Sequence, residues 1–151
     1  MPTDSDPPAS DVEGRFPLSW SIFGVARSHR ALAAALLVPL GLYPGQELML
    51  MELFAHDGRS QRQLGELLRL DHSTVAKSVQ RLERAGLVTR SRSAADGRVT
   101  LVHLTDRGRA LEQPVQRAWA ELERRTTEGL TRDQRQAFVD LAALLARNVE
   151  Q

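Results

Sequence analysis

The stretch SQRQLGELLRLDHSTVAKSVQRLERAGLVTR, residues 60–90, decides the reading of this chain. Ser60, with Gln63 three positions on, forms a capping box: the serine oxygen accepts from the Gln63 amide while the glutamine side chain reaches back. The helix it opens is short and carries Leu64, Leu67 and Leu68. Asp71 is a natural N-cap for a second helix, in which Val75, Val79 and Leu82 recur on one face and Gly86 supplies the stop. The opposite face carries Thr74, Lys77, Arg81 and Arg84, with Ser73 and Ser78 beside them. Leu87–Arg90 and Val99–Leu104 then predict two short strands around a turn containing Asp96-Gly97.

Two short helices joined by a tight turn and followed by a two-stranded hairpin make a winged helix-turn-helix. The expected fold is therefore mainly α with a small β-hairpin wing. The second short helix can lie in the major groove of double-stranded DNA, and the wing can reach along the backbone toward the minor groove. The hydroxyls of Ser73, Thr74 and Ser78, with Lys77, the only lysine in the chain, suit base edges; Arg81 suits guanine or phosphate. Arg98, at the expected wing tip, can enter the narrow, electronegative minor groove, with Asp96 holding its guanidinium. Arg90 and Arg92, on the preceding strand, would lie near phosphates. A plainer reading stands beside each of these: a solvated helix face, and a type I′ turn that simply favours Asp-Gly.

Outward from this core, residues 1–15 lack apolar periodicity and contain Pro2, Pro7 and Pro8, which predicts a disordered acidic tail. Leu18, Ile22, Val25, His29, Leu32 and Leu36 form a helical stripe that ends at Pro39 and Gly41. Pro44 suits the first turn of another helix, stopping near Asp57-Gly58. Thr105 would cap a long helix carrying Leu111, Val115, Ala118 and Leu122, with a kink or break at Pro114. Thr131 and Gln134 make a second capping box, opening a helix with Phe138, Leu141 and Leu145. The expected division is a tail at 1–15, a dimerisation helix at 16–43, a DNA-binding lobe at 44–105 and dimerisation helices at 106–151. Three long apolar stripes at the two ends of the chain exceed what so small a lobe can cover, which points to a second copy as partner.

The net charge of +1 conceals a division along the chain. Between Arg59 and Arg98 stand nine basic residues against four acidic ones, so a basic middle is flanked by acidic ends, as in a nucleic-acid-binding module attached to something else. With no cysteine, disulfides, thiolate metal sites and thiol redox sensing are excluded. The first residues lack the basic and apolar regions of a signal peptide, and the longest apolar run, Ala31–Leu42, is too short to span a bilayer. The expectation is a cytoplasmic protein with no membrane partner and no cofactor. His29, His56, His72 and His103 are scattered, and neither a glycine-rich phosphate loop nor a nucleophile elbow is present, which argues against an enzyme.

The segments QLGELLRLDHSTVAKSVQRLERAGLVTR, DGR and VHLTDRGRAL, taken together, resemble the DNA-binding lobe of MarR-family regulators. With the flanking helices, the resemblance covers roughly residues 16 to 150. It implies an intertwined homodimer acting as a ligand-responsive repressor on a pseudo-palindromic operator, with half-site centres about 10 base pairs apart. It places Ser73, Thr74, Lys77, Ser78 and Arg81 toward the groove, and Arg98, oriented by Asp96, toward the minor groove. It also implies a small aromatic or phenolic effector bound between the dimer helices and the lobe. Trp20, Phe23, Arg27, Tyr43 and Trp119 are the aromatic and cationic residues expected nearest that junction. The alternatives are a metal-responsive regulator on the same fold and a protein-interaction module without specific DNA binding.

Overall fold

In the computed structural model, which describes residues 10–150, the chain opens with a short helix, α1 (Asp11–Arg15), capped by the Ser10 hydroxyl. The tail expected at 1–15 is corrected here: residues 11–15 are helical, and residues 1–9 lie outside those described. Pro17 occupies the first position of α2 (Pro17–Leu37), where its missing N–H costs nothing. A 3-10 turn at Val38–Leu40 prolongs α2, and Gly41, at φ 75°, ends it in the left-handed conformation that glycine adopts freely. The whole stretch Pro17–Leu40 is longer than the apolar run alone suggests. It is the one segment among the described residues with the length and composition to cross a membrane, at a mean hydropathy of 1.2. Arg27 and Arg30 lie within it.

Helix α3 (Gln46–Ala55) starts two residues after Pro44, which sits in the preceding turn rather than in the helix. Gln46 and Glu47 organise that turn by accepting from the backbone N–H groups of Tyr43 and Gly45. The lobe continues with β1 (Arg59–Ser60), α4 (Gln61–Leu68), α5 (His72–Arg84), β2 (Val88–Arg92) and β3 (Thr100–Leu104). The sheet has three strands, not the expected two, in antiparallel order β1-β3-β2. Arg59 faces Val102, and Arg90 faces Val102 from the other side.

The expected long helix after Thr105 is two helices, α6 (Asp106–Arg109) and α7 (Glu112–Thr126). The break falls at Ala110–Leu111, and Pro114 then lies in the first turn of α7, where it is tolerated without a kink. Helix α8 (Arg132–Val149) follows, opened by the Thr131–Gln134 capping box.

One core joins Leu37, Leu42, Leu50, Leu53, Leu64, Val75, Val79, Leu82, Val102, Val115 and Leu122. Val115 and Leu122, read from sequence as part of an outward stripe, are buried in their own chain because α7 packs on α2 and α3. The remaining outer faces are uncovered. Leu18, Ile22, Phe23 and Val25 of α2 are each at least half exposed, and α8 buries no residue while presenting Phe138, Val139, Leu141 and Leu144.

Candidate nucleic-acid interface

The turn between α4 and α5 is set by close approach. A side chain at Gly65 would press on the Leu70 carbonyl and Val75, and Leu70 N–H donates to the Gly65 carbonyl at 2.9 Å. Arg69 takes the left-handed conformation at φ 53°, unusual for a residue with a side chain. Asp71 then caps α5 as its sequence position predicts, accepting from Thr74 N–H at 2.9 Å.

Asp71 does more than cap. Its two oxygens also accept the hydroxyl protons of Ser73, at 2.7 Å, and Thr74, at 2.6 Å. These hydrogen bonds, those of Thr74 first, hold the exposed carboxylate well below its usual range. A carboxylate cannot donate, so both hydroxyls spend their protons on it and leave only acceptor lone pairs facing outward. The inner face of α5 buries Val75, Val79 and Leu82 completely, which turns Ser73, Lys77 and Arg81 to solvent and leaves Thr74 and Ser78 half-buried at the margin.

Helix α5 is locked to the wing at its C-terminal end. Gly86, at φ 74°, reverses the chain, and Leu87 N–H donates to the Leu82 carbonyl. Thr105 donates its hydroxyl to the Gly86 carbonyl at 2.6 Å, accepts from Gly108 N–H, and sends its own N–H to the Leu87 carbonyl. This accounts for Thr105 and Gly108 within the VHLTDRGRAL segment: Gly108 lies so close to the Leu87 carbonyl that a β-carbon has no room. On the other side of the sheet, Asp57 accepts from Leu104 N–H at 2.8 Å and pairs with Arg109 at 2.9 Å, so it joins α3, β3 and α6.

The wing differs from the expected Asp-Gly hairpin. Residues 93–99 form a seven-residue loop in which Ser93 N–H donates to the Val99 carbonyl and Val99 N–H to the Asp96 carbonyl. Gly97 is not among the residues with positive φ, so the type I′ turn is absent. The Asp96 carboxylate receives the backbone N–H of Arg98 at 3.0 Å and makes no ion pair with the Arg98 guanidinium; it fixes the main chain at the tip, a correction to the expected role. Arg92 donates to the Gly97 carbonyl at 3.3 Å and braces the loop. Arg90 is engaged by Glu83 of α5, which sequence reasoning left unassigned.

The five residues expected at an effector pocket are only partly gathered. Trp20 and Phe23 pack with ring centroids 5.6 Å apart on the exposed face of α2, where Arg27 is also exposed. Tyr43 is 71% exposed, and Trp119, half-buried on α7 against the core, holds a buried indole N–H without a partner. Shallow concavities lined by Arg59, Gln63, Glu66 and Leu67, and by Glu83, Arg90, Ser91, Arg92 and Thr100, touch none of these five.

Comparison with known proteins agrees with this geometry. Residues 40–99 match the model of the MarR family. The chain is 32% identical over 135 residues to the HTH-type transcriptional regulator TtmR of Methylorubrum extorquens, a match covering 89% of this chain but just under two thirds, 66%, of that protein. It is 30% identical over 122 residues to the HTH-type transcriptional repressor Mb2911 of Mycobacterium bovis, across 81% of this chain and 88% of the relative. Among solved structures, a mutant MarR from E. coli complexed with operator DNA superposes with a TM-score of 0.78 at 26% identity, over 93% of this chain and 99% of that one. With the lobe, its locked wing and these relatives in agreement, the chain belongs to the MarR family of transcriptional regulators, which are not enzymes.

Proposed function

We propose that this protein is a cytoplasmic transcriptional repressor that binds a pseudo-palindromic operator as a homodimer and responds to a small aromatic or phenolic ligand. The observation that carries the reading is the outward face of α5, where Lys77 and Arg81 stand exposed behind a polar N-terminus, next to a wing tip whose Arg98 backbone is pinned by Asp96. Ser73, Thr74, Lys77, Ser78 and Arg81 would meet base edges, with Arg92 and Arg98 supplying wing contacts. Double-stranded DNA complements the basic charge concentrated between Arg59 and Arg98.

The uncovered apolar faces of α2 and α8 support a second copy as the dimer partner, with 16–43 and 106–151 as the association region and 44–105 as the reading lobe. Arg27 and Arg30 within α2 favour a protein partner over lipid on that face. In such a dimer the second copy would close over Trp20, Phe23, Arg27, Tyr43 and Trp119.

Selection of genomic fragments by the purified full chain at two salt concentrations tests the proposal. Recovery of a few pseudo-palindromic sites near promoters is the expected result. Recovery of nothing above background at either salt would overturn it in favour of a protein-interaction role.

A further inference from the structure

Three arginines lie on the wing, and the structure gives each different work. Arg92 braces the loop through the Gly97 carbonyl, and the Arg98 side chain has no hydrogen-bond partner among the described residues. The third, Arg90, is turned back toward the recognition helix. Its Nε donates to Glu83 at 3.2 Å (Oε1) and 3.3 Å (Oε2), and its Nη2 donates to Oε1 at 2.9 Å. The Arg90 backbone N–H donates to the same carboxylate at 3.2 Å. β2 is an edge strand of the sheet, so this N–H points away from the ladder and would otherwise be free. One carboxylate in the last turn of α5 therefore holds both the side chain and the strand backbone of the wing. The pairing also lowers the Glu83 pKa and raises that of Arg90, each through the other's hydrogen bond first.

We propose that Glu83 and Arg90 are positioning residues for DNA recognition: a strut that fixes the wing relative to the recognition helix, with Arg90 spent on that strut rather than on phosphate. This rests on the DNA-binding reading above and makes it specific. If α5 lies in the major groove, the Arg98 tip reaches the neighbouring groove only when the angle between helix and hairpin is held, and the strut adds a side-chain ion pair to the Thr105 clamp in holding it. Both side chains are more than a third exposed, at 37% and 36%, so the pair adds little to stability and its effect falls on binding.

The two roles predict opposite signs. Glu83→Gln removes a negative charge near DNA, so tighter binding would result if Glu83 merely repelled phosphates. The strut predicts weaker binding, by about twofold to fivefold, the range an exposed ion pair transmits. Arg90→Gln weakens binding by a similar factor, while the dependence of log Kd on log salt stays as in the wild type. The exchanged pair, Glu83→Arg with Arg90→Glu, recovers part of the loss that Arg90→Glu alone causes, although the exchanged pair cannot restore the bond to the strand N–H. The wild type and the four variants are titrated as full chains with a selected operator fragment by fluorescence anisotropy across a salt series, with thermal unfolding as the check on folding.

Tighter binding by Glu83→Gln, a fall of about one in the salt slope for Arg90→Gln, or no recovery in the exchanged pair would each overturn the strut. A wild-type chain that binds no DNA would overturn the DNA-binding reading itself, a result none of the variant outcomes can mimic.

Discussion

Gly108→Ala tests whether the clamp below the wing is as tight as its geometry implies. A methyl group at 108 would lie 3.0 Å from the Leu87 carbonyl carbon and 3.3 Å from Leu104 Cδ2, with the Leu87 oxygen closer still. Carbon contacts are comfortable near 3.5–4.0 Å, so the backbone must part by at least about 0.5 Å. That displacement pulls directly on Leu87, whose carbonyl receives the Thr105 N–H and whose N–H closes the end of α5 on Leu82. Overpacking of a fixed backbone costs about 1–3 kcal/mol, and a weakened hydrogen bond adds about 1 kcal/mol. The helix preference of alanine over glycine returns at most about 1 kcal/mol, in a helix of only four residues. The net expectation is a loss of about 1–3 kcal/mol, or roughly 3–10 °C in Tm for a chain of this size. Thermal unfolding at one fixed protein concentration measures it. Gly97→Ala, at a position with nothing within 4 Å of the added carbon, serves as the control and should stay within about 0.5 kcal/mol of wild type. A Gly108→Ala protein as stable as that control would refute the clamp.

Lys77→Ala should relax base preference at one operator position and cost about 1–3 kcal/mol, read from competition against single-base variants; an unchanged preference would remove Lys77 from the groove. Arg98→Ala should weaken binding and reduce the salt slope by about one, in contrast to Arg90→Gln, and an unaltered slope would mean that the tip does not reach the backbone. Ile22→Arg, on the exposed face of α2, should shift the protein toward monomer in sedimentation, and a variant that stays dimeric would place the interface elsewhere. Glu47 is buried, and desolvation raises its pKa despite opposing hydrogen bonds from its own backbone and Gly45 and the nearby Arg30 charge. The folded state therefore holds the Glu47 proton more tightly than the unfolded state, and stability is lost as pH rises from the ordinary carboxylate range through the folded pKa. Glu47→Gln should accordingly raise Tm at pH 7, with a gain that shrinks toward pH 4; a gain independent of pH would refute this account.

Features encoded by neighbours in sequence were legible before any coordinates. The capping boxes at Ser60 and Thr131, the Asp71 cap and the buried Val75-Val79-Leu82 face all stand where their spacing puts them. What escaped depends on partners far apart in the chain or on close approach. β1 is two residues long and exists through its pairing with β3 some forty positions later, so nothing local marks it. The break between α6 and α7, by contrast, is marked by Pro114, whose ring cannot follow a helical carbonyl at Ala110, four residues earlier. Arg90 reads as one more cation near DNA until Glu83, seven residues earlier, is seen to face it. The Asp96-Arg98 spacing is plain in the sequence, but a two-residue separation serves a backbone N–H as readily as a guanidinium, and the loop uses the former. Leu122 shows the same limit: periodicity finds an apolar face without saying which neighbour covers it.

The basic residues of this chain are nineteen arginines and a single lysine, which stands exposed in the middle of α5. Arginine stays charged and resists acylation under cellular conditions, while a lysine amine is readily acetylated and then carries no charge. An acyl donor therefore finds no side-chain amine in this sequence except the one on the outward face of α5. With Lys77 at the DNA as proposed, lysine-directed chemistry would lower binding in proportion to its extent without touching the fold. By the same logic, protection of that one amine reports directly on whether the helix is occupied.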